Sequence, residues 1–332
     1  MSTLFVGNIL SKHRGTLGPS EKIAELLGKQ YNIRTVSDKP GKMGRLFDIT
    51  KVCLTHNYNV LIADTYSGTA FNIARIASFI GKLRGKKVVL VLRGGKLPEF
   101  YSINAASVNR VFKRAHKILA PSLYLSDYFE QKGFNVEYLP DFINLDQFYD
   151  YGVQRKQFSL LWIRAFNAIY NPWLAVKTLY LLQKQFPETT LTMIGPDGGL
   201  LNETKKLAEE LSVLNKIKFI GKVDNKQLPE FYCSHSVFLN TTSYESFGLA
   251  VMEAAACGIP IVSTSVGELP FLWKHNEEIM LCKPNDENAM TENVIRLFSQ
   301  PDKAAAIALQ ANKKSARFGW KNVKPKWEKI MS

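Results

Sequence analysis

Residues 237–263 read V-F-L-N-T-T-S-Y-E-S-F-G-L-A-V-M-E-A-A-A-C-G-I-P-I-V-S. Within them 237–240 is a short apolar run of strand composition, 241–246 a polar loop, 248–257 an alanine-rich segment of helical composition, and 259–263 a second β-branched run. Strand, loop, helix and strand in that order predict a crossover unit of a parallel sheet. The polar loop then lies at the carboxyl end of a strand, the edge at which open α/β sheets bind ligands. It holds Glu245, and a second acid, Glu253, follows eight residues later inside the helix. Between them Gly248 lets a phosphate approach the backbone closely, and the free amides of a helix start attract anions. Residues 264–267 bring the chain back to the same crevice. For Glu245 the competing reading is a plain helix N-terminal charge favoured by the dipole. For Glu253 it is a solvated helix position, which fits poorly because Val251, Met252, Ala254, Ala255 and Ala256 around it are all apolar.

Outward from this unit the same alternation covers the whole chain. Strands are expected at 4–9, 31–36, 59–64, 87–92, 117–120 and 135–139, and again at 159–165, 190–194, 216–220, 237–240, 259–263 and 279–281. Between the two series lies L-P-D-F-I-N-L-D-Q-F-Y-D-Y-G, beginning at Leu139, a polar and aromatic connection without a period. The pattern predicts an α/β protein of two Rossmann-like, doubly wound domains facing each other across an interdomain cleft, one over 1–145 and one over 146–316. A length of 332 residues suits two domains, and 46% hydrophobic with 22% charged residues gives each enough apolar material for a core. No run approaches the ~18 apolar residues of a membrane-spanning helix. The N-terminus, M-S-T-L-F-V-G-N-I-L, lacks a basic leader and reads as a first strand, so a cytoplasmic protein is expected. Cys53, Cys233, Cys257 and Cys282 form no C-x-x-C pair and are expected to be buried free thiols.

The segment S-Y-E-S-F-G-L-A-V-M-E-A-A-A-C-G-I-P-I-V-S-T-S-V-G-E-L, residues 243–269, resembles the donor-binding signature of retaining family-4 glycosyltransferases of the GT-B fold. Glu245 and Glu253 match the family's E-x7-E pair, and F-G-L and C-G-I-P match its surroundings. The connection L-P-D-F-I-N-L-D-Q-F is similar to the family's P-N-G-I-D segment. A Trp-bearing C-terminal helix around Trp320 and Trp327, within residues 317–332, is implied to pack back toward the first domain. The resemblance covers most of the chain and is looser near the N-terminus.

It implies a nucleotide-diphosphate sugar, UDP- or GDP-linked, as donor substrate, with no separate cofactor. Glu253 would hydrogen-bond the ribose hydroxyls, Glu245 would face the hydroxyls of the transferred sugar, and the amides of Phe247, Gly248 and Leu249 would contact the sugar and the distal phosphate. Gly221, Lys222 and Val223 resemble the turn that receives the base through backbone groups. For the diphosphate, family members carry an arginine and a lysine after the first strand of the second domain. Here L-W-I-R-A-F-N-A-I-Y-N-P supplies Arg164, whose fork suits phosphate oxygens, while Asn171 stands where the lysine is expected. Either Lys177, one helical turn further on, or Asn171 with the amides of the helix opened by Pro172 would make good the missing charge, and the sequence leaves both open. No D-x-D pair is present, so no metal is expected. The implied route is a front-face one in which the departing phosphate helps deprotonate the acceptor, with Glu245 and Arg164 as catalytic residues.

In the first domain S-K-H-R-G-T-L-G-P-S-E resembles the family's glycine-rich first loop, with Gly15, Thr16 and Gly18 near the donor phosphate. The R-G-G-K after the fourth strand puts Arg93 and Gly94 where many relatives carry His-Gly; they are acceptor-side candidates, and no base role passes to Arg93. His13 and His56 have no acidic partner nearby in sequence and read as incidental loop histidines.

Charge is divided unevenly. Residues 1–120 hold 20 Lys and Arg against 6 Asp and Glu, and 121–332 hold 23 of each, so the whole net charge of +14 lies in the half expected to bind the acceptor. S-V-N-R-V-F-K-R-A-H-K places Arg110, Lys113, Arg114 and Lys117 at helical spacings, and R-I-A-S-F-I-G-K-L-R-G-K-K is a second basic segment with an apolar back. Each alone reads as a packed helix with a solvated face. Together they predict peripheral docking on an anionic inner membrane face. No nucleic-acid-binding motif accompanies the basic excess, so nucleic acid is not an expected partner. The expected function is a metal-independent retaining glycosyltransferase acting on a glycan or lipid-linked acceptor in polysaccharide or glycolipid synthesis. A sugar-nucleotide epimerase of similar architecture and a non-catalytic sugar-nucleotide-binding protein are the alternatives.

Overall fold

The computed structural model describes residues 2–14 and 17–332, and the chain forms two compact units, Met1–Asp141 with Val323–Ser332, and Phe142–Asn322. The strands of the first are β1 (Ser2–Val6), β2 (Asn32–Val36), β3 (Val60–Thr65), β4 (Lys87–Leu92), β5 (Lys117–Ala120) and β6 (Val136–Tyr138). They make one parallel sheet in the order β2-β1-β3-β4-β5-β6. The second unit has β7 (Lys156–Ile163), β8 (Thr190–Ile194), β9 (Ile217–Ile220), β10 (His235–Asn240), β11 (Ile261–Thr264) and β12 (Met280–Cys282). Its sheet is also parallel, in the order β12-β11-β10-β7-β8-β9. Helices cover both sheets, which is why the strands read as near-continuous apolar runs: all six residues of β3 are buried.

Every expected strand is present, with shifted ends in most. The run expected at 4–9 leaves the sheet after Val6, where Gly7 lies so close to Asp64 that a Cβ would come within 2.5 Å of its carboxylate. The run expected at 159–165 ends at Ile163, because Arg164 already turns to donate its amide to Ile194 O at 3.0 Å. One helical expectation needs correction. The spacing of Arg110, Lys113, Arg114 and Lys117 is not one helix face: the helix Leu97–Phe112 stops, the chain turns, and Lys117 opens β5 and pairs with Glu137 at 2.7 Å. The buried Val111 and Phe112 end the helix on the core, and the sheet takes the next apolar run.

The strand order reverses between β1 and β3 in the first sheet and between β7 and β10 in the second, and such switch points open a crevice at the carboxyl ends of the strands. The loops leaving β7 and β10 are therefore neighbours. The first core gathers Leu4, Val6, Leu61 and Leu90 under their helices; the second gathers Leu160, Trp162, Met193 and Leu239. All four cysteines are free and buried. The last turns of the helix Trp320–Met331 belong to the first unit, where Trp327 lies 6.1 Å from the Phe5 ring and Tyr31 donates to Glu328 at 3.1 Å. Among the described residues no helix is long and apolar enough to cross a membrane.

Candidate functional site

The site of the second unit is assembled by its two switch-point loops. After β7 the chain passes Arg164 and runs through a short helical turn, Ala168–Tyr170, to the helix Pro172–Leu182. After β10 it passes Asn240, Thr241 and Thr242, all buried, to Glu245. Hydroxyl groups stitch the loops together. Trp162 Nε1 donates to Thr241 Oγ1 at 2.8 Å, Thr241 Oγ1 donates to Tyr170 O at 2.6 Å, and the Ser243 amide donates to Ile169 O at 2.7 Å. Across this frame Arg164 Nη2 donates to Glu245 Oε2 at 2.9 Å and to Asn240 Oδ1 at 3.3 Å. The guanidinium carbon sits 5.3 Å from the Tyr170 ring centre. Burial works against the arginine's charge, but Glu245, then Tyr232, Tyr170 and Glu253, outweigh it and hold its pKa above the ordinary value. Its Nε is buried and has no acceptor among the described residues.

Glu253 lies on the helix Leu249–Ala256, whose residues from Ala250 onward are all buried, and is itself 7% exposed. Its Oε2 accepts from Tyr232 OH at 3.3 Å, and burial followed by the Glu253 charge raises the Tyr232 pKa well above its usual value. The bland reading of Glu253 as a solvated position is therefore excluded. Phe247 is buried against Phe318, Leu249 is partly exposed, and Gly248 caps the helix at φ +86°, a conformation that disfavours any Cβ. The first amides of that helix have no carbonyl within it to bond. Glu245 is fixed from behind by Gly267, where a Cβ would stand 1.8 Å from Glu245 O, and by the Glu268 amide, 3.1 Å from the same oxygen.

The structure does not gather every candidate here. Asn171, in a left-handed conformation, donates its side-chain amide to Asn285 at 2.9 Å, and Lys177 Nζ lies 3.6 Å from Glu287. Both line a separate cavity of about 450 Å³ that includes neither Arg164 nor either glutamate. Gly221, Lys222 and Val223 follow β9; Gly221 O accepts from the Gly195 amide at 3.3 Å, and Lys222 is exposed. In the first unit Arg93 is buried with Nε 3.0 Å from Asp64 and Nη1 2.7 Å from Asp141, while Ser20 Oγ donates to Asp64 at 2.7 Å. Gly94 beside it is exposed, with φ +80°. Gly18 caps the helix Pro19–Gly28, its amide donating to Glu21 at 2.7 Å. Gly15 and Thr16 lie outside the described residues. His13 Nε2 contacts Asp38 O, and His56 Nδ1 contacts Arg34.

Three site residues escaped the sequence reading. Gly195 carries the carbonyl of Arg164 so closely that a Cβ would be 1.9 Å away, and the glycine ending the strand in I-G-P-D was its signal. Tyr232 and Asn240 gave none, since their partners are remote in sequence.

The family model described as Glycosyl transferases group 1 matches residues 146–314. The D-inositol 3-phosphate glycosyltransferase of Corynebacterium urealyticum is 28% identical over 158 residues, 46% of this chain and 37% of that protein. The N-acetyl-alpha-D-glucosaminyl L-malate synthase of Bacillus anthracis is 26% identical over 153 residues, 46% of this chain and 39% of that protein. The matches thus span about two fifths of the length of these curated relatives. Anabaena Alr3699/HepE, solved in complex with UDP, superposes with a TM-score of 0.80 at 17% identity, covering 100% of this chain and 99% of its own. Sucrose-phosphate synthase from Thermosynechococcus elongatus gives 0.79 at 16% identity, covering 99% and 98%. These likenesses establish the α/β fold as that of GT-B glycosyltransferases. With half of its length matched by the family model, the chain belongs to the glycosyl transferases of group 1.

Proposed function

We propose that the protein is a retaining glycosyltransferase that moves a sugar from a UDP- or GDP-linked donor to a glycan or lipid-linked acceptor. The observation that carries the reading is Arg164, a guanidinium at the switch point whose side chain is 14% exposed and whose Nη2 is held by Glu245. A fixed, partly exposed cation suits an oxyanion, and the departing diphosphate is the group whose charge grows during transfer. Arg164 and the first amides of the helix Leu249–Ala256 take the role that relatives share between an arginine and a lysine. Asn171 and Lys177 are engaged elsewhere. Glu253 receives the ribose hydroxyls, Glu245 orients the sugar, and Gly221, Lys222 and Val223 receive the base through their backbone. HepE, solved with UDP and with UDP-glucose, supports a uridine donor.

In the transfer, the bond between the anomeric carbon and the diphosphate oxygen breaks and its electron pair leaves with the phosphate. The acceptor oxygen bonds to the same face, and its proton passes to the departing phosphate oxygen. No side chain need act as base or nucleophile, so positioning and leaving-group electrostatics supply the rate. The test is a panel of UDP- and GDP-sugars incubated without acceptor in excess chelator, with the released sugar followed by NMR. Slow hydrolysis that first releases the donor's own anomer is expected. The inverted anomer, or a strict need for a divalent ion, contradicts the mechanism; isomerised donor contradicts transfer itself, and binding without any turnover marks a non-catalytic protein.

A further inference from the structure

A basic and apolar groove on the first unit is unused by the donor reading. The helices Lys42–Thr55, Phe71–Leu83 and Leu97–Phe112 enclose it, with a volume of about 660 Å³. Arg75, Arg110 and Arg114 line it together with Leu54, Phe79 and Leu83, and none of its lining residues is acidic. Arg114 lies 5.3 Å over the Phe79 ring and donates to Arg75 O at 3.2 Å. Among the described residues none of the three guanidiniums has a carboxylate partner. Burial, then Arg110 and Arg75, lowers the pKa of Arg114, so the three positive charges face one another uncompensated. The apolar side chains are as unusual as the charges: Leu83 is 71% exposed, Phe79 54% and Leu54 50%. Met43 and Phe47, on the same helix as Leu54, are 80% and 73% exposed.

A soluble anion would meet the arginines but leave this apolar rim in water, and a nucleic acid would ask for no rim of Leu and Met. A lipid surface satisfies both, since headgroup phosphates take the guanidiniums and the acyl boundary takes the aliphatic and aromatic side chains. The placement of the whole net charge in residues 1–120 adds long-range attraction to the same surface. We infer that this three-helix face docks on an anionic phospholipid bilayer, with a headgroup phosphate among Arg75, Arg110 and Arg114 and with Leu54, Phe79 and Leu83 entering the acyl boundary. The inference holds whichever sugar nucleotide the second unit binds.

Co-sedimentation of the full chain with phosphatidylcholine vesicles, and with vesicles that also contain phosphatidylglycerol, tests it. Binding is expected to the anionic vesicles alone and to weaken with salt. Replacing all three arginines (Arg75→Gln, Arg110→Gln, Arg114→Gln) should lower the partition coefficient on the order of 100-fold. Leu83→Ser, at an exposed position that folding does not need, should lower it roughly tenfold without changing its salt dependence. Unchanged nucleotide binding by both variants shows that they are folded and keeps this result separate from the donor reading. Equal binding to both vesicle types, no binding to either, or full binding by the triple variant would overturn the inference. So would complete competition by inorganic phosphate, which would make the groove a site for a free anion.

Discussion

Arg164 neutralises Glu245 inside the protein, and in the proposed function the same guanidinium holds the departing diphosphate. Arg164→Ala is accordingly expected to lower turnover about 100-fold or more. It should also destabilise the second unit by about 3–5 kcal/mol, because a mostly buried glutamate loses its partner. Steady-state kinetics and a thermal melt on the same variant separate the two effects. Lys177→Ala removes a half-exposed pair with Glu287, worth no more than about 1 kcal/mol, and should leave turnover nearly intact. A larger kinetic loss from Lys177→Ala than from Arg164→Ala would return the diphosphate role to the lysine. Arg93 is a parallel case in the first unit: Arg93→Ala leaves Asp64 and Asp141 facing each other, and a stability loss of about 3–5 kcal/mol is expected in denaturant titration. The acids at Glu245 and Glu253 were legible because their spacing sits in a distinctive local context. The pairing of Glu245 with Arg164 was not, since the partners are 81 residues apart and only the adjacency of β7 and β10 joins them.

At the scale of elements, the loop after β10 is shaped by backbone contact as much as by side chains. Gly267 must lie against Glu245 O at φ +55°, so Gly267→Ala forces the loop apart. The strained conformation alone costs about 1–3 kcal/mol, and the clash adds to it. The expected result is a lowered melting temperature together with weakened nucleotide binding; a variant that melts and binds as the parent does would refute this packing. Element types were readable because apolar runs and glycine punctuation are local properties. Ends were less so. Lys117 and Lys87 continue the helical spacing of the basic residues before them, yet each opens a buried strand, because the pull of the sheet on I-L-A and V-V-L-V-L exceeds a surface periodicity that packs against nothing.

On the scale of the molecule, twelve strands in two parallel sheets follow from alternation alone, but strand order does not. Runs of the same texture give β2-β1-β3-β4-β5-β6 in one unit and β12-β11-β10-β7-β8-β9 in the other, and the order depends on which way each crossover runs. The membership of Val323–Ser332 in the first unit is likewise a long-range fact, carried by buried Trp327, Ile330 and Met331. Trp327→Ala should cost the first unit about 3–5 kcal/mol, read as lost hydrogen-exchange protection in β1 and in the helix Pro19–Gly28. Unaltered protection there would mean that the segment adds nothing to that core.

The central claim is that Arg164, Glu245 and Glu253 form the donor site, with Glu253 on the nucleotide and Glu245 on the sugar. Calorimetric titration of UDP and of GDP into the parent, Glu253→Ala and Glu245→Gln tests it most directly. One of the two nucleotides should bind the parent, and Glu253→Ala should weaken it roughly 10- to 100-fold, the worth of a charge-assisted hydrogen bond. Glu245→Gln should bind that nucleotide as the parent does while turning over far more slowly. Undiminished affinity in Glu253→Ala, or no binding of either nucleotide to the parent, would contradict the account.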